Sequence, residues 1–275
     1  MNLDEKISKA IKILQMPKDK EIELCYSGGK DSDVILELAK MANIPFRAIY
    51  KNTTIDPPGT LAHCRENGVE ILQPRIKFFD LIKKKGFPTR RARFCCEVLK
   101  EYKVLDTAIQ GIRRCESTSR KKRYSEDEPI ICRIYGNKAN HVNVVLPILD
   151  WTDEDVEAFV KMRGIKCHPL YYDENGNFDV KRRLGCMGCP LAGDNGLSDF
   201  KKHPNLVKAW VRAGQAFLDS HPDCSSARKF EDAFDLFTHN VFFDSYEKFR
   251  LAKYGMFGKA DTKEFLETYF DIKFK

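Results

Sequence analysis

Apolar and polar positions repeat along this chain with two periods, one helical and one strand-like, and their order predicts the architecture. Residues 1–16, MNLDEKISKAIKILQM, put Ile7, Ile11 and Leu14 on one helical face with charges between them. That pattern predicts an amphipathic helix and not a signal peptide. An apolar, β-leaning run from Ile22 to Tyr26 enters the turn SGGKDS, and Val34, Ile35, Leu36, Leu38 and Ala39 follow. This predicts a buried strand, a tight glycine turn and a helix opening at the turn. Residues 46–50 predict a second strand, and Pro57-Pro58-Gly59 a turn into a helix through Leu61 and Cys64 that Gly68 ends. Residues 69–72, 104–110 and 143–147 are further strand candidates. The β-α-β-α-β rhythm predicts an α/β fold, a parallel sheet with helices on both faces.

The segment TDEDVEAFVKMRG predicts a capped helix. Thr152 is its N-cap, Asp155 completes a capping box, Trp151 and Val156 form a hydrophobic staple, and Gly164 is the stop. Past Cys189 the spacing turns helical, through Leu206, Ala209, Trp210, Ala213 and Phe217 and then Phe230, Phe234 and Phe237. The expected division is therefore an α/β domain over residues 1–197 and a helical C-terminal region over 198–275.

Composition narrows the class. With 43% hydrophobic and 32% charged residues the chain is globular and not disordered. No apolar stretch reaches the roughly 18 residues of a membrane span, so no membrane partner is expected. Ten cysteines without a signal segment predict thiols or metal ligands in a reducing cytoplasm. A net charge of +7 permits an anionic partner such as a nucleotide or nucleic acid, and a solvated surface explains it equally. The basic clusters say more: Arg90, Arg91 and Arg93; Arg113, Arg114 and Arg120 to Arg123; and Lys181, Arg182 and Arg183 each lie beside a motif.

The turn carries the first chemistry. Adjacent Gly28 and Gly29 remove the Cβ atoms that would keep an anion from the backbone N–H groups. A helix N-terminus adds donors and partial positive charge. Lys30 brings a cation, and Ser27 and Ser32 bring hydroxyls. The run is built for phosphate or sulfate. It is not the common P-loop, which needs a Gly five residues before the Gly of Gly-Lys and Ser or Thr directly after the Lys; here those positions are Leu24 and Asp31.

Two cysteine pairs stand out, Cys95-Cys96 in RARFCCEVLK and Cys186-Met187-Gly188-Cys189 in RRLGCMGCP. The second has a metal-ligand spacing. Adjacent cysteines suit one tetrahedral zinc poorly, because a regular backbone points neighbouring side chains apart. A [4Fe–4S] cluster could take them on different irons, and zinc or unliganded thiols stay open as alternatives.

SGGKDS resembles the PP-loop of N-type ATP pyrophosphatases and sulfonucleotide reductases, the phosphoadenosine phosphosulfate (PAPS) reductase family with its adenine nucleotide alpha hydrolase-like fold. Tandem Cys followed by a distant Cys-x-x-Cys resembles adenylylsulfate reductases and the sulfur-activating subunits of DNA phosphorothioation systems. GIRRCESTSR and LPILDWTDEDVEAFVKMRGIKCHPLY resemble two further blocks of that superfamily, so the likeness spans about residues 20–192. It implies that Ser27, Gly28, Gly29, Lys30, Asp31 and Ser32 hold pyrophosphate or phosphosulfate. Arg113 and Arg120 would contact anionic oxygens, with Glu116 orienting one of them and Ser117 beside it. Asn52, Thr53, Thr54 and Asp56 become adenosine-site candidates, following the second strand at its carboxyl end. Cys95, Cys96, Cys186 and Cys189 would be the cluster ligands, and Asp31 a Mg²⁺ partner. Lys30, Asp31, Arg113 and Arg120 would carry the catalysis.

Within the family an intact loop favours ATP cleaved between its α and β phosphates. Reductases use a nucleophilic cysteine in a C-terminal Glu-Cys-Gly tail, and no cysteine follows Cys224 here. The expected function is an iron–sulfur ATP pyrophosphatase that activates an acceptor, such as a nucleic acid, for sulfur transfer. A sulfur-donor protein such as a cysteine desulfurase would be its partner. A reductase forming sulfite, or a sensor of nucleotide or redox state, is the alternative. His168 is expected to be structural, and Cys115, flanked by arginines, to have a lowered pKa.

Overall fold

The structure is a computed structural model that describes residues 1–125, 128–135, 140–255 and 258–274. Its elements run α1 (Leu3–Leu14), β1 (Ile22–Tyr26), α2 (Lys30–Ala42), β2 (Phe46–Lys51), α3 (Thr60–Glu66), β3 (Glu70–Leu72), α4 (Phe78–Lys85) and α5 (Phe94–Leu99). Then come β4 (Thr107–Ile109), α6 (Thr118–Arg123), β5 (Ile130–Ile134), β6 (His141–Val145) and α7 (Asp153–Arg163). The helices α8 (Leu197–Lys202), α9 (Pro204–Ser220), α10 (Ser225–Lys229), α11 (Ala233–Phe242), α12 (Tyr246–Lys253) and α13 (Thr262–Phe270) follow.

The chain forms two compact units. The first comprises Met1–Asn52, Asp56–Gln73 and Glu97–Gly185. The second comprises Thr53–Ile55, Pro74–Cys96 and Cys186–Lys275. These units are drawn differently from a cut at 197/198. Thr53–Ile55, Pro74–Cys96 and the second cysteine pair go with the C-terminal helices, because α4 packs against α9.

In the first unit, six strands among the described residues form one sheet in the order β3-β2-β1-β4-β6-β5. All neighbours pair in parallel except β5 with β6. Side chains alternate across the sheet. Leu24, Ile109 and Val145 join a core with Ile7, Leu14, Ile35, Leu38 and Phe159 of α1, α2 and α7. Ala108, Val142 and Val144 face the other way, with Tyr124 from the end of α6. Each buried aliphatic side chain contributes about 1.5–3 kcal/mol relative to exposure.

Local signals start the helices. Asn2 Oδ1 accepts from the Glu5 N–H at 2.9 Å and Glu5 Oε2 accepts from the Asn2 N–H at 3.0 Å, which opens α1. The expected box at α7 is present: Thr152 Oγ1 accepts the Asp155 N–H at 3.3 Å, and Asp155 Oδ2 accepts the Thr152 N–H at 2.7 Å. Trp151 and Val156 are buried in the same core, and Gly164 ends α7 in the left-handed region at φ 61°. The expected parallel sheet is present, with one antiparallel strand added at its edge. The strand β5 runs antiparallel at the edge, paired residue for residue with β6.

The second unit is aromatic. Phe87 lies edge-on to Trp210 at 5.1 Å between ring centroids, and Phe200 to Phe237 at 4.9 Å. No helix among the described residues is long and apolar enough to cross a membrane.

Candidate functional site

In the first unit, β1 ends at Tyr26 and α2 begins at Lys30, so residues 27–29 form the turn between them. Gly28 sits at φ 78°, and a Cβ there would lie 3.1 Å from Thr60 Cγ2 and 3.2 Å from Leu184 Cδ2. Any larger residue would be strained and crowded. Ser32 Oγ donates to the Gly29 carbonyl at 2.6 Å, and Ser27 Oγ accepts weakly from the Gly29 N–H at 3.4 Å. These bonds hold the turn open toward a cleft of about 180 Å³.

Ser27, Gly29, Lys30, Asp31 and Ser32 line that cleft together with Glu116, Arg120, Tyr171 and Arg183. Lys30 is buried, with its Nζ 3.3 Å from Asp31 Oδ2 and 5.5 Å from the centre of the Tyr171 ring. The Tyr171 hydroxyl accepts from the Leu184 N–H at 3.3 Å, and burial pushes its pKa up to about 12. Tyr171 and Arg183 were not singled out from sequence as site residues. The signal for Tyr171 was present in the His-Pro-Leu-Tyr run.

Arg113 does not line the cleft. It is 1% exposed and lies beneath it, with Nε donating to Asp31 Oδ1 at 2.7 Å and Nη2 to Asp153 Oδ1 at 2.9 Å. Burial opposes its charge, but Asp31 and Asp153 more than offset this and its pKa ends above the ordinary value. Glu116 Oε2 accepts the Arg113 N–H at 3.1 Å and pairs with Arg120, and Arg183 lies 3.9 Å from Oε1. Glu116 thus does more than an i, i+4 surface pair, because it ties half-buried Arg120 and exposed Arg183 to the backbone of buried Arg113. Burial, then repulsion from Arg183, lowers the Arg120 pKa. Ser117 is the N-cap of α6, its Oγ accepting the Arg120 N–H at 3.1 Å.

Both Asp31 oxygens therefore face cations, Arg113 at one and Lys30 at the other. The arrangement does not fit Asp31 as a Mg²⁺ ligand.

The adenosine candidates have local partners. The Tyr50 hydroxyl donates to Asp56, and the Asn52 amide to Gln73 at 2.9 Å. In the second unit Thr54, at φ 61°, accepts the Phe78 N–H at 2.9 Å and so opens α4. Thr53 Oγ1 lies 3.6 Å from Cys186 Sγ.

His168, expected to be structural, caps a local turn. It is buried, accepts the Leu170 N–H at Nδ1 (3.1 Å), and its pKa is lowered by burial and then by His63. The expectation for Cys115 is corrected. Its sulfur lies 3.1 Å from Arg113 Nη1, yet its pKa is raised, because desolvation and the charges of Asp153 and Asp31 outweigh the arginine.

All four candidate cluster cysteines belong to the second unit. All ten cysteines are free thiols. Cys95 is hydrogen-bonded with Cys96 and feels the thiols of Cys186 and Cys189, and all of these together with burial push its pKa up. The Cys186–Cys189 turn is fixed at two points. The Met187 N–H donates to the Ile55 carbonyl at 2.8 Å, and the Gly188 N–H to Asp199 Oδ2 at 2.9 Å. Gly188 sits at φ 71°, and a Cβ there would lie 2.6 Å from Phe200 Cζ. Among the described residues no three or more His, Cys, Asp or Glu side chains are grouped to hold a single metal ion as they stand. In donor type, thiols such as Cys95, which feels Cys96, Cys186 and Cys189, suit a polynuclear iron–sulfur centre.

The sequence profile of the phosphoadenosine phosphosulfate reductase domain family matches residues 21–192. The chain belongs to this family. The PAPS reductase match covers the loop, the cleft and both cysteine pairs. The chain is 32% identical over 218 residues to an uncharacterized protein of Methanocaldococcus jannaschii, which covers 73% of this chain and 49% of the relative. It is 29% identical over 182 residues to sulfate adenylyltransferase subunit 2 of Chromohalobacter salexigens, covering 54% of this chain and 59% of that protein. It is also similar, at 16% identity and a TM-score of 0.44, to the U34-tRNA thiolase NcsA from Methanococcus maripaludis with its [4Fe-4S] cluster, with 81% of this chain and 80% of that one covered. The chain spans about half the length of the first curated relatives it matches.

Proposed function

We propose that this protein is an ATP pyrophosphatase of the PAPS reductase family that adenylates an acceptor for sulfur transfer. One observation carries the reading: buried Lys30, Arg120 and Arg183 converge on one cleft at the N-terminus of α2. A polyphosphate tail is stabilised by cations gathered at a helix N-terminus, and here three cations share the lining with two carboxylates, Asp31 and Glu116. Sulfate adenylyltransferase subunit 2, by its name a subunit of an enzyme that transfers an adenylyl group, supports the same class of reaction.

In this mechanism an acceptor oxygen attacks the α-phosphorus of ATP. A bond forms to the adenylyl group, the α–β phosphoanhydride bond breaks, and pyrophosphate leaves with the electron pair. Lys30 and the α2 N-terminus stabilise the departing pyrophosphate, and Arg120 and Arg183 hold its outer oxygens. Arg113 acts from beneath by fixing Asp31, which in turn aims Lys30. Cys95, Cys96, Cys186 and Cys189 would hold a [4Fe–4S] cluster, which supplies thiolate-ligated irons for sulfur chemistry.

We take the acceptor to be a nucleic acid, as in DNA phosphorothioation, with a cysteine desulfurase as sulfur donor and the cytoplasm as the compartment. Exposed Lys121, Lys122 and Arg123 follow Arg120, and Lys181 and Arg182 precede Arg183, so both cleft arginines continue into basic runs. The test is pyrophosphate release from α-labelled ATP with oligonucleotide acceptors. Label transferred to the acceptor and lost in Lys30→Ala supports the reading. Sulfite formed from adenylylsulfate without pyrophosphate release from ATP overturns it.

A further inference from the structure

The antiparallel pair at the sheet edge carries a second site. Cys132 of β5 and His141 of β6 place Sγ and Nδ1 3.4 Å apart. Both residues are exposed. Ile134 lies two residues beyond Cys132 on the same face, directly across from His141 in register, and is 53% exposed. A thiol, an imidazole and an apolar side chain thus share one solvent-facing patch. The strand β5 is last in the sheet order, and on this face Cys132, Ile134 and His141 are each exposed.

Cross-strand pairs of this kind are often only packing partners. Two features separate this one. The patch is accessible throughout, and the imidazole nitrogen is within reach of the thiol proton, the geometry that activates a cysteine nucleophile. The neighbours on the opposite face of β5, Ile131 and Tyr135, are occupied in the apolar cluster, while Arg133 donates to Gln110 at 3.1 Å.

We propose that Cys132 and His141 form a dyad that accepts a sulfane sulfur from a persulfide donor. His141 Nδ1 takes the thiol proton, and the Cys132 thiolate attacks the outer sulfur of R–S–SH. A new S–S bond forms on Cys132, the donor S–S bond breaks, and the departing thiolate takes the proton back. Thiol and persulfide become persulfide and thiol, with no external oxidant or reductant. This gives the sulfur-transfer reading a point of sulfur entry and rests on that reading.

The experiment incubates the full chain with glutathione persulfide in the absence of ATP and maps the mass gain of one sulfur atom by peptide. Loading should fall on Cys132 and vanish in Cys132→Ser. It should slow roughly tenfold or more in His141→Ala and His141→Gln, a modest share of what a positioned base can contribute. Cys115→Ser, which removes another exposed thiol, should leave the rate unchanged. Loading that favours Cys115, absent loading at Cys132, or His141 variants with the wild-type rate would overturn the proposal. Because no nucleotide is present, failed pyrophosphate release and failed sulfur loading are separate results.

Discussion

Arg113 Nε donates to Asp31 Oδ1 at 2.7 Å from a side chain that is 1% exposed, so a buried guanidinium holds the residue next to Lys30 in place. Removing it leaves Asp31 with one cation fewer in a poorly solvated setting. Arg113→Ala should lower unfolding free energy by about 3–5 kcal/mol, the usual cost of breaking a buried pair from one side. Urea denaturation measures this. A loss under 1 kcal/mol would mean that water replaces the guanidinium freely.

Lys30 gives the ligand test. If the cleft grips a triphosphate tail, saturating ATP should raise the melting temperature more than AMP does, through binding to the native state. Lys30→Ala should erase most of the difference while leaving the AMP effect. Equal shifts with ATP and AMP in the wild type would remove the phosphate-gripping role from this loop.

The cysteines predict a colour. Anaerobically purified protein should be brown and carry about four irons per chain. Serine at Cys95, Cys96, Cys186 or Cys189 should each bleach it. Cys64→Ser should not, since Cys64 is fully buried in the core of the first unit. One zinc in colourless protein would replace the iron–sulfur assignment.

Cys224 separates transfer from reduction. Its sulfur accepts the Ala227 N–H at 3.3 Å as the N-cap of α10. Serine caps equally well, so Cys224→Ser should preserve both stability and ATP-dependent activity. Sulfite production that depends on Cys224 would put the reductase reading first.

Glu231 predicts acid behaviour in the second unit. It bonds Lys259 at 2.6 Å and Lys253 at 3.1 Å and accepts from the Tyr254 hydroxyl, and its pKa falls from 4.5 to about 2. A depressed carboxylate stabilises the folded state above its unfolded pKa and stops doing so as pH falls through the folded one. Between pH 4.5 and about 2 the wild type should therefore lose stability faster than Glu231→Gln. Parallel thermal midpoints for the two proteins across that window would contradict the linkage.

The parts legible in the sequence were those with local signals. The glycine turn, the Thr152–Asp155 box and the Gly164 stop need only neighbours a few residues away to be recognised. The strand β5 escaped because Ile130–Ile134 follows a dense charged run, and its partner β6 defines it more than its own pattern does. Arg113 reads in the sequence as a direct contact to anionic oxygens, like Arg120. Its burial depends on Asp31 and Asp153, each distant in sequence. Cys115 was misjudged for the same reason: its flanking arginines were visible, and the two carboxylates beyond them were not. Thr54 followed the second strand where ligands often sit, but its hydroxyl accepts the Phe78 N–H.

The packing of α4 on α9 has a consequence for synthesis. Phe78, Leu81 and Ile82 leave the ribosome long before α9 exists to cover them. The first cysteine pair likewise emerges well ahead of the second. The second unit cannot close until translation has passed Pro204, so slow elongation prolongs a state with an uncovered apolar helix, the condition in which chains aggregate or recruit chaperones. A cluster held by these four thiols would likewise have to wait for Cys186 and Cys189, by which point every residue that lines the cleft has been made.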